Sequence, residues 1–274
     1  MSMILHAASH RLDLAHPIVM GIVNVTPDSF SDGGKFLARD VAVAHARKLA
    51  SEGAAILDIG GESTRPGAAA ASLQEELDRI VPVIEALSGD GLVLSVDTQK
   101  PEVMVAAIRA GASMVNDVNA LRAAGAIDAV AASNVAVCLM HMQGTPRTMQ
   151  AAPTYKNVTL EVGGFLGERA LACVKSGVAA NRIVIDPGFG FGKSVTHNLT
   201  LVKELSALTK LGFPILAGLS RKSTIGALTG RDTAGRFAGS LAAHLIAAQN
   251  GARILRVHDV ADTVDALKVL RAMT

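Results

Sequence analysis

The stretch NGARILRVHDV, residues 250–260, contains the pattern that repeats along this chain and decides its fold. It passes from a helix-ending Asn-Gly pair into a short run of apolar, β-prone residues, as expected of a buried strand. Arg256 and His258 lie inside that run, two positions apart, so in an extended chain both side chains point to the same face. Two basic side chains on one face of a mostly buried strand predict an anion in front of them.

The junction of helix, Gly, Ala and strand also occurs in EGAAIL (52–57) and AGASMV (110–115). Apolar runs of strand length alternate with Ala-rich helical segments along the whole chain. The runs lie at residues 18–25, 54–60, 92–98, 113–118, 135–142, 182–188, 213–220 and 253–258. Because they are continuous rather than alternating, they are typical of parallel strands that are covered on both faces.

Helix start and stop signals separate these runs. Ser72 and Glu75 form a capping box at the start of a helix that Gly89 ends. Pro101 begins another helix, which Gly111 ends. These signals support the assignment of the segments between the runs as helices.

The alternation predicts an α/β fold, a single-domain (β/α)8 TIM barrel. The domain spans residues 1–274, with residues 1–17 as an N-terminal extension, and no linker rich in proline or serine interrupts it. A doubly wound open sheet is the alternative architecture.

The composition limits the partners of the protein. The sum of Lys and Arg is 26 and that of Asp and Glu is 24, and no basic run occurs, so we expect no nucleic-acid partner. No segment has the apolar length of a membrane span or the features of a signal peptide, so we expect no membrane partner and a cytoplasmic location. Cys138 lies in an apolar run and Cys173 lies far from it in sequence, which favours reduced core thiols over a disulfide.

The barrel predicts where a functional site lies, because sites of TIM barrels form at the carboxyl ends of the strands. Polar and charged residues are concentrated at those ends. They are Asn24, Asp58, Glu62, Asp97, Asn116, Asp117, His141, Asp186, Ser220, Arg221, Lys222, Arg256 and His258. Any single one is readily explained as a hydrogen-bonded core residue or a cap. Together they predict one polar site at one mouth of the barrel.

Three loops at this mouth carry further signals. The loops at 24–34 and 60–69 are long and polar, and we expect them to act as lids. The segment DPGFGFGKS (186–194) is no phosphate-binding P-loop, because Pro187 stands where that motif needs its first glycine. Phe189 and Phe191, with Phe30 in the first loop, predict flat aromatic surfaces for a ligand; the alternative for a loop Phe is a place in the core.

The charges predict a ligand class. Asp97, Asn116 and Asp186 supply two carboxylates and an amide, and a carboxylate can accept two hydrogen bonds from an N–H group beside an NH₂ group, as in a pterin or guanine ring. Lys222 either binds a ligand carbonyl or phosphate, or is a solvated surface residue. Metal-chelating and nucleophile-elbow motifs are absent from the sequence.

Taken together, the motifs resemble the dihydropteroate synthase family. The matching stretches are MGIVNVTPDSFSDGG (20–34), DIGGESTRPGA (58–68), SVDTQKPEV (95–103), VNDV (115–118), CLMHMQGTP (138–146), DPGFGFGKS (186–194), LSRKSTIG (219–226) and RVHDV (256–260). This resemblance implies a transferase of folate biosynthesis that joins 6-hydroxymethyl-7,8-dihydropterin diphosphate to 4-aminobenzoate, giving 7,8-dihydropteroate and diphosphate. It also implies a homodimer, with the apolar segment 237–249 as a candidate interface, and sulfonamides as competitors of 4-aminobenzoate.

The resemblance implies a role for each matching residue. The pterin ring is held by Asp97, Asn116, Met140, Asp186, Lys222 and Arg256. The diphosphate is bound by Asn24, Thr64, Arg256 and His258, with Asn24 also a ligand of Mg²⁺. The aminobenzoate is surrounded by Thr26, Pro27, Thr64, Arg65, Pro66, Phe191 and Ser220. The catalytic set is Asp97, Lys222, Arg256 and His258, and the anion facing the basic pair of the last strand is the diphosphate.

The family reaction is consistent with the absence of a strong base. An arylamine is neutral at pH 7, and a dihydropterin can delocalise a cation at its exocyclic carbon, so we expect a dissociative displacement in which Asp97 stabilises that cation. Two alternatives are a pterin barrel of corrinoid-dependent methyl transfer, which has no use for a diphosphate pocket, and a non-catalytic pterin- or folate-binding protein.

Overall fold

A closed parallel barrel forms the centre of the protein, as the computed structural model shows for residues 3–25, 35–62, 70–145 and 148–273. The strands within these ranges are β1 (Ile4–Ala7), β2 (His10–Asp13), β3 (Ile18–Asn24), β4 (Ile56–Gly60), β5 (Val93–Asp97), β6 (Met114–Asp117), β7 (Ala136–Met140), β8 (Ile183–Asp186), β9 (Ile215–Ala217) and β10 (Ala252–Val257). Strands β3 to β10 pair in sequence order, and β10 closes the barrel on β3. The predicted TIM barrel is confirmed, and the open sheet is wrong.

Helices follow the barrel strands and cover the outside. They are α1 (Lys35–Ser51), α2 (Leu73–Leu87), α3 (Pro101–Ala110), α4 (Ala126–Ala131), α5 (Val158–Lys175), α6 (Val195–Lys203), α7 (Ser223–Thr229), α8 (Phe237–Gln249) and α9 (Val260–Met273). The largest hydrophobic cluster lies between these helices and the outer face of the strands. Phe189 belongs to it and is only 1% exposed, so the prediction that this ring offers a ligand surface is wrong.

The predicted helix signals are confirmed at three positions. Ser72 caps α2 through a reciprocal capping box with Glu75. Helix α3 begins at Pro101 and is capped after Ala110 by Gly111, which adopts the left-handed conformation with φ of 117°. A Cβ atom on Gly111 would lie 2.7 Å from Cβ of Ser88, so this turn has room only for glycine.

The barrel interior changes from apolar to polar along the strands. Near the amino ends lies an apolar layer made by Met20, Ile56, Val93, Met114, Ala136, Val184, Leu216 and Ile254. Side chains of a strand alternate between its faces, so the residues two positions further along also face inward. On six strands these are Asp58, Ser95, Asn116, Cys138, Asp186 and Arg256. Hydrophobic packing therefore fills one end of the barrel, and polar groups collect at the other.

The N-terminal hairpin covers the apolar end. Strands β1 and β2 pair antiparallel, and Leu5, Ala7 and Leu14 pack against the apolar interior layer. The hairpin therefore closes the amino end of the barrel and leaves the carboxyl end as the open mouth. Cys138 and Cys173 are buried free thiols. Among the described residues, no helix has the length and apolar character needed to cross a membrane.

Candidate active site

Arg256 stands at the centre of the polar layer, between two carboxylates. Its Nε donates to Oδ2 of Asp58 at 2.5 Å, and its Nη2 donates to Oδ2 of Asp97 at 2.7 Å. Burial acts to lower the pKa of Arg256, but the charges of Asp58 and Asp97 outweigh it and raise the pKa above its ordinary value. The anions in contact with Arg256 in this structure are therefore two carboxylates of the protein itself.

Asp58 links Arg256 to the neighbouring strands. The residue is fully buried, and its Oδ2 also accepts a hydrogen bond from Nδ2 of Asn116 at 3.0 Å. Its Oδ1 and the Oγ of Ser95, which pairs with Asp58 across β4 and β5, have no hydrogen-bond partner among the described residues. The sequence places Asp58 at a strand end without indicating a role, and the structure assigns it the positioning of Arg256 and Asn116.

Asp97 and Asn116 lie side by side on β5 and β6, where their Cα atoms are paired. Burial raises the pKa of Asp97 above its ordinary value, and the charge of Arg256 acts in the opposite direction. The carboxylate of Asp97 thus keeps one Arg contact and lies beside an amide at the open end of the barrel. The two residues are close together, as the sequence predicted.

Asp186 ends β8 and is held by the loop that follows. Its Oδ1 accepts a hydrogen bond from the N–H of Gly188 at 2.7 Å. Burial raises the pKa of Asp186 to about 6, while that hydrogen bond and the charge of Lys222 act to lower it. At neutral pH the buried carboxyl is mostly ionised, and Met140, which pairs with Asp186 across β7 and β8, belongs to a largely apolar wall beside it.

That wall contains Lys222, Phe191 and Met140. The Nζ of Lys222 lies 4.1 Å from the centroid of the Phe191 ring, within cation–π distance. Burial lowers the pKa of Lys222 to about 8. Met140 and Phe191 belong to one small apolar cluster, which supplies a surface for a flat ring beside the carboxylates. Lys222 is therefore half-buried against Phe191, which favours a place in the site over a solvated surface position.

His258 follows β10 and bonds to Ser220. The Oγ of Ser220 lies 2.8 Å from Nδ1 of His258 and accepts the backbone N–H of His258 at 3.3 Å. Burial lowers the pKa of His258 to about 4, so the ring is neutral at pH 7. We assign Nδ1 as the acceptor of the Ser220 hydroxyl, since Oγ already accepts the backbone N–H of His258, and this assignment places the ring proton on Nε2, where a ligand can accept it. His258 therefore offers a hydrogen bond and not a second positive charge.

Four of the strand-end residues have structural partners instead. Arg221 pairs with Asp259, with Nη2 and Oδ1 2.6 Å apart. Asp117 accepts the backbone N–H groups of Asn119 and Leu121, both at 2.7 Å. The Nδ1 atom of His141 lies 2.9 Å from Nζ of Lys193, and the carboxylate of Glu62 accepts a hydrogen bond from Lys100.

The remaining predicted residues lie at the first two loops. Asn24 is exposed at the end of β3, and its side chain has no hydrogen-bond partner in the described ranges. The predictions for Thr26, Pro27, Phe30, Thr64, Arg65 and Pro66 concern residues outside the described ranges. No group of three or more His, Cys, Asp or Glu with metal-binding geometry occurs within the described part of the chain.

A buried ion cluster fixes the strand end that precedes the second loop. The Nζ of Lys100 contacts Oε2 of Glu62 at 2.5 Å and Oε2 of the fully buried Glu76. Arg79 of α2 donates to the carbonyl of Gly61 at 2.9 Å. Burial acts to lower the pKa of Lys100, but the hydrogen bonds that Lys100 donates to Glu62 and Glu76 outweigh this effect and raise the pKa. Sequence patterns missed this cluster because its members lie 24 and 38 positions apart.

We expect Lys100→Met to lower the free energy of unfolding by about 3 kcal/mol, because it leaves the buried Glu76 carboxylate without its cation. Urea unfolding at pH 7 measures this change. Lys48→Met is the matched control: Lys48 of α1 is exposed and pairs at 3.4 Å with Glu52, just beyond the end of that helix, so its loss is expected to cost less than about 1 kcal/mol. Equal stability of the two variants would contradict the burial argument.

Comparison with known proteins identifies the family. Residues 20–258 match the family described as pterin binding enzyme. Dihydropteroate synthase of Escherichia coli strain K12 is 49% identical over 269 residues, which cover 98% of this chain and 95% of that protein. The chain belongs to the dihydropteroate synthase family. A dihydropteroate synthase is a transferase that forms 7,8-dihydropteroate in folate biosynthesis. The alternatives of a methyl-transfer barrel and of a non-catalytic binding protein are therefore wrong.

Two solved dihydropteroate synthases of Xanthomonas albilineans have the same fold. The structure with 4-aminobenzoic acid is 58% identical, has a TM-score of 0.94, and is matched over 100% of this chain and 98% of its own. The structure in complex with 7,8-dihydropteroate is 55% identical, has a TM-score of 0.90, and is matched over 98% of both chains. The family assignment thus rests on sequence and fold over nearly the whole chain.

Proposed function

We propose that the polar layer of this barrel binds the dihydropterin ring and that the residues above it hold the diphosphate and the arylamine. The observation that carries this proposal is the contact of Arg256 with both Asp58 and Asp97. It brings a donor suited to diphosphate next to acceptors suited to a pterin edge. The groups that bind the diphosphate and the groups that bind the pterin ring are therefore adjacent at the carbon atom that reacts.

The pterin edge is recognised by acceptors on neighbouring strands. Asp186 accepts the adjacent N–H and NH₂ groups of the ring, a pairing strengthened by the charge of the carboxylate. Asn116 supplies an amide group, which is held in place because its Nδ2 donates to Oδ2 of Asp58 at 3.0 Å. Lys222 donates to the ring carbonyl, and Met140 packs on its face. The cluster of Met140 and Phe191 supports this arrangement by excluding water from one side.

The diphosphate is received by the donors of the last strand. A guanidinium group carries five N–H groups, and the contacts with Asp58 and Asp97 use only two of them. The remaining donors of Arg256, with Nε2–H of His258, are suited to the oxygen atoms of the leaving group. These donors become more valuable as the C–O bond breaks, because negative charge then develops on the oxygen.

The displacement is dissociative in this proposal. The C–O bond to the diphosphate breaks with its electron pair going to the leaving oxygen, and the exocyclic carbon becomes cationic. The carboxylate of Asp97 stabilises that cation at short range. The neutral amine of 4-aminobenzoate then forms the C–N bond and releases its proton to solvent, so a strong base is not needed.

Asn24 fits the role of a magnesium ligand. Its amide lies exposed at the mouth without a partner among the described residues, and Mg²⁺ takes oxygen ligands while sharing its shell with water and phosphate. One protein oxygen together with diphosphate oxygens is a normal donor set for this ion. When bound, Mg²⁺ supplies charge neutralisation of the leaving group.

We further propose a homodimer in the cytoplasm. Helices α6, α7 and α8 are neighbours, and each exposes a large apolar side chain, namely Leu199, Leu228 and Ile246. Such a group of exposed apolar residues favours an interface between two copies of the chain. Sedimentation velocity measures whether the mass is twice the 28.2 kDa of one chain. Buried free thiols are consistent with a reducing compartment.

The proposed function is tested by diphosphate release. Purified protein with the dihydropterin diphosphate and Mg²⁺ is expected to release diphosphate only when 4-aminobenzoate is present, with one dihydropteroate formed per diphosphate. Sulfonamides are expected to compete with 4-aminobenzoate and not with the pterin. Bound pterin without any release would favour a binding protein, and equal release with and without the amine would contradict the proposed division of roles.

A further inference from the structure

Lys193 is a buried lysine that the steps above do not use. It is 3% exposed and follows the glycine-rich loop after β8. Its Nζ lies 3.0 Å from the carbonyl oxygen atoms of Gly188 and Phe191, 3.2 Å from that of His141 and 2.9 Å from Nδ1 of His141. Burial lowers the pKa of His141 to about 3, so its ring is a neutral acceptor. An ammonium group with three N–H donors is thus surrounded by four acceptors.

The loop over Lys193 has little freedom of its own. Gly188 and Gly192 have φ values of 69° and 60°. Cβ atoms added there would lie 1.9 Å from the carbonyl oxygen of His141 and 2.4 Å from that of Gln143, so the loop runs against the backbone that follows β7. This close approach brings several carbonyl groups together, and Lys193 is the cation that bonds to them.

Two other side chains complete the loop. Gln150 donates to the carbonyl of Gly190 at 2.5 Å, and the hydroxyl of Tyr155 donates to that of Gly192 at 2.7 Å. Each of these two side chains bonds to one carbonyl of the loop, whereas Lys193 bonds to the carbonyl groups of both Gly188 and Phe191. Lys193 therefore makes the internal connection between the two ends of the segment 188–191.

The same loop orients groups of the site. The N–H of Gly188 binds Asp186, and Phe191 carries the ring that lies against Lys222. A methionine would fill the volume of Lys193 without the cost of burying a charge. A buried charge that binds only carbonyl groups and a neutral imidazole is therefore better explained by the loop conformation that it holds than by packing.

We propose that Lys193 is a positioning residue for pterin recognition, which fixes the loop 187–192 and through it the carboxylate of Asp186. This inference rests on the proposed place of the pterin beside Asp186. The group acts in two ways: it binds the carbonyl groups that shape the loop, and its positive charge favours the ionised form of Asp186. The other groups that face Asp186 are Lys222, Arg256 and the N–H of Gly188.

The test compares Lys193→Met with wild type at pH 6.5, because burial lowers the pKa of Lys193 to about 7 and the group is still mostly protonated there. We expect the dissociation constant of a pterin without diphosphate to rise about tenfold in calorimetry at 15 °C. Hydrogen–deuterium exchange is expected to increase in the peptide 186–194 and to stay unchanged in 113–118. The acid limb of kcat/KM is expected to move to higher pH, a shift that a purely structural role would not produce.

Lys203→Met is the control, since Lys203 is exposed at the end of α6, the helix that follows the loop, and should leave all three readouts unchanged. Should Lys193→Met not fold, Lys193→Gln, which keeps an NH₂ donor, takes its place in the same series. Faster loop exchange with wild-type pterin affinity and an unmoved acid limb would overturn the proposal. Failure of the wild-type protein to bind the pterin would instead contradict the proposed function, and the exchange result would still report on the loop.

Discussion

Arg256→Met is expected to lower kcat/KM for the dihydropterin diphosphate by about 100- to 1,000-fold. Loss of a donor aimed at the charge that develops in a transition state costs about 3 to 4 kcal/mol. Arg256 has more than one free donor for the leaving group, because Asp58 and Asp97 occupy only its Nε and one N–H of Nη2. Steady-state kinetics of diphosphate release measure this loss.

The same substitution is expected to lower stability, since it leaves the fully buried carboxylate of Asp58 without its cation. A loss of about 3 kcal/mol in the free energy of unfolding at pH 7 is typical when one partner of a buried ion pair is removed. Arg256→Lys separates the two effects. The lysine keeps the charge and part of the stability, but a single ammonium cannot contact Asp58, Asp97 and a diphosphate with the geometry of a guanidinium.

Arg253→Met is the matched control for Arg256→Met. Arg253 lies on the same strand at the amino end of the barrel, where it lines a surface cleft away from the mouth. We expect its loss to change kcat/KM by less than about twofold, in line with a surface position. Activity of Arg256→Met within threefold of wild type would contradict the proposed role of Arg256 at the leaving group.

The course of the barrel could be predicted because each strand has its own local signal. The Gly-Ala junctions mark where helices end, and the continuous apolar runs mark strands covered on both sides. The predicted runs extend beyond the observed strands, as at 213–220 against Ile215–Ala217. This difference arises because apolar residues next to a strand are buried in the loops as well, so hydrophobicity alone does not define the last paired residue.

Which strand-end residues enter the site depends on alternation along each strand. Asn116 has the same parity as the interior Met114 and faces Asp58, whereas Asp117 faces the opposite way and binds the turn at Asn119. The sequence contains this parity, and it is the signal that separates the two neighbours. Arg221 and Lys222 follow a strand end, where alternation no longer applies; Arg221 adopts a φ of 56° and turns to Asp259.

The contacts that sequence patterns missed join distant parts of the chain. Arg256 and Asp58 are 198 positions apart, and Lys193 and His141 are 52 apart. No local spacing links such residues, because closure of the barrel brings them together. The available sequence signal for Lys193 is its position directly after a run of glycine and phenylalanine. A charged group next to an apolar loop needs hydrogen-bond partners if it is buried.

Asp186→Asn is expected to lower kcat/KM about 1,000-fold while raising the stability of the folded protein at pH 8. The amide presents an NH₂ group where the pterin edge needs an acceptor, so two charge-assisted hydrogen bonds are lost, each worth roughly 2 kcal/mol. The acid limb of the wild-type profile reports both Asp186, with a pKa of about 6, and Asp97, with a pKa of about 7, so Asp186→Asn is expected to remove only the component of Asp186 and to leave that of Asp97. Steady-state kinetics between pH 5 and 7 measure both the loss of kcat/KM and the change in the acid limb.

The stability effect follows from the direction of the same pKa shift. Asp186 has a pKa of about 6 in the folded protein against 3.8 as its ordinary value, so the folded state holds the proton more tightly. The contribution of this carboxyl to stability is full below pH 4 and is lost as the pH rises through 6. A pKa shift of this size lowers the free energy of unfolding of the wild-type protein by at most about 3 kcal/mol at pH 8 relative to pH 4. Asparagine carries no charge, so the variant does not lose this stability.

Urea unfolding at two pH values tests this linkage. Asp186→Asn is expected to exceed wild type in the free energy of unfolding at pH 8 and to match it near pH 4, where the wild-type carboxyl is protonated and similar in shape to an amide. Asp265→Asn, on the exposed face of α9, is the control and should change neither activity nor the difference between the two pH values. A variant that is inactive and also less stable than wild type at pH 8 would contradict this prediction. It would mean that the Asp186 carboxylate stabilises the folded protein, and that ionisation of Asp186 at pH 8 does not destabilise it.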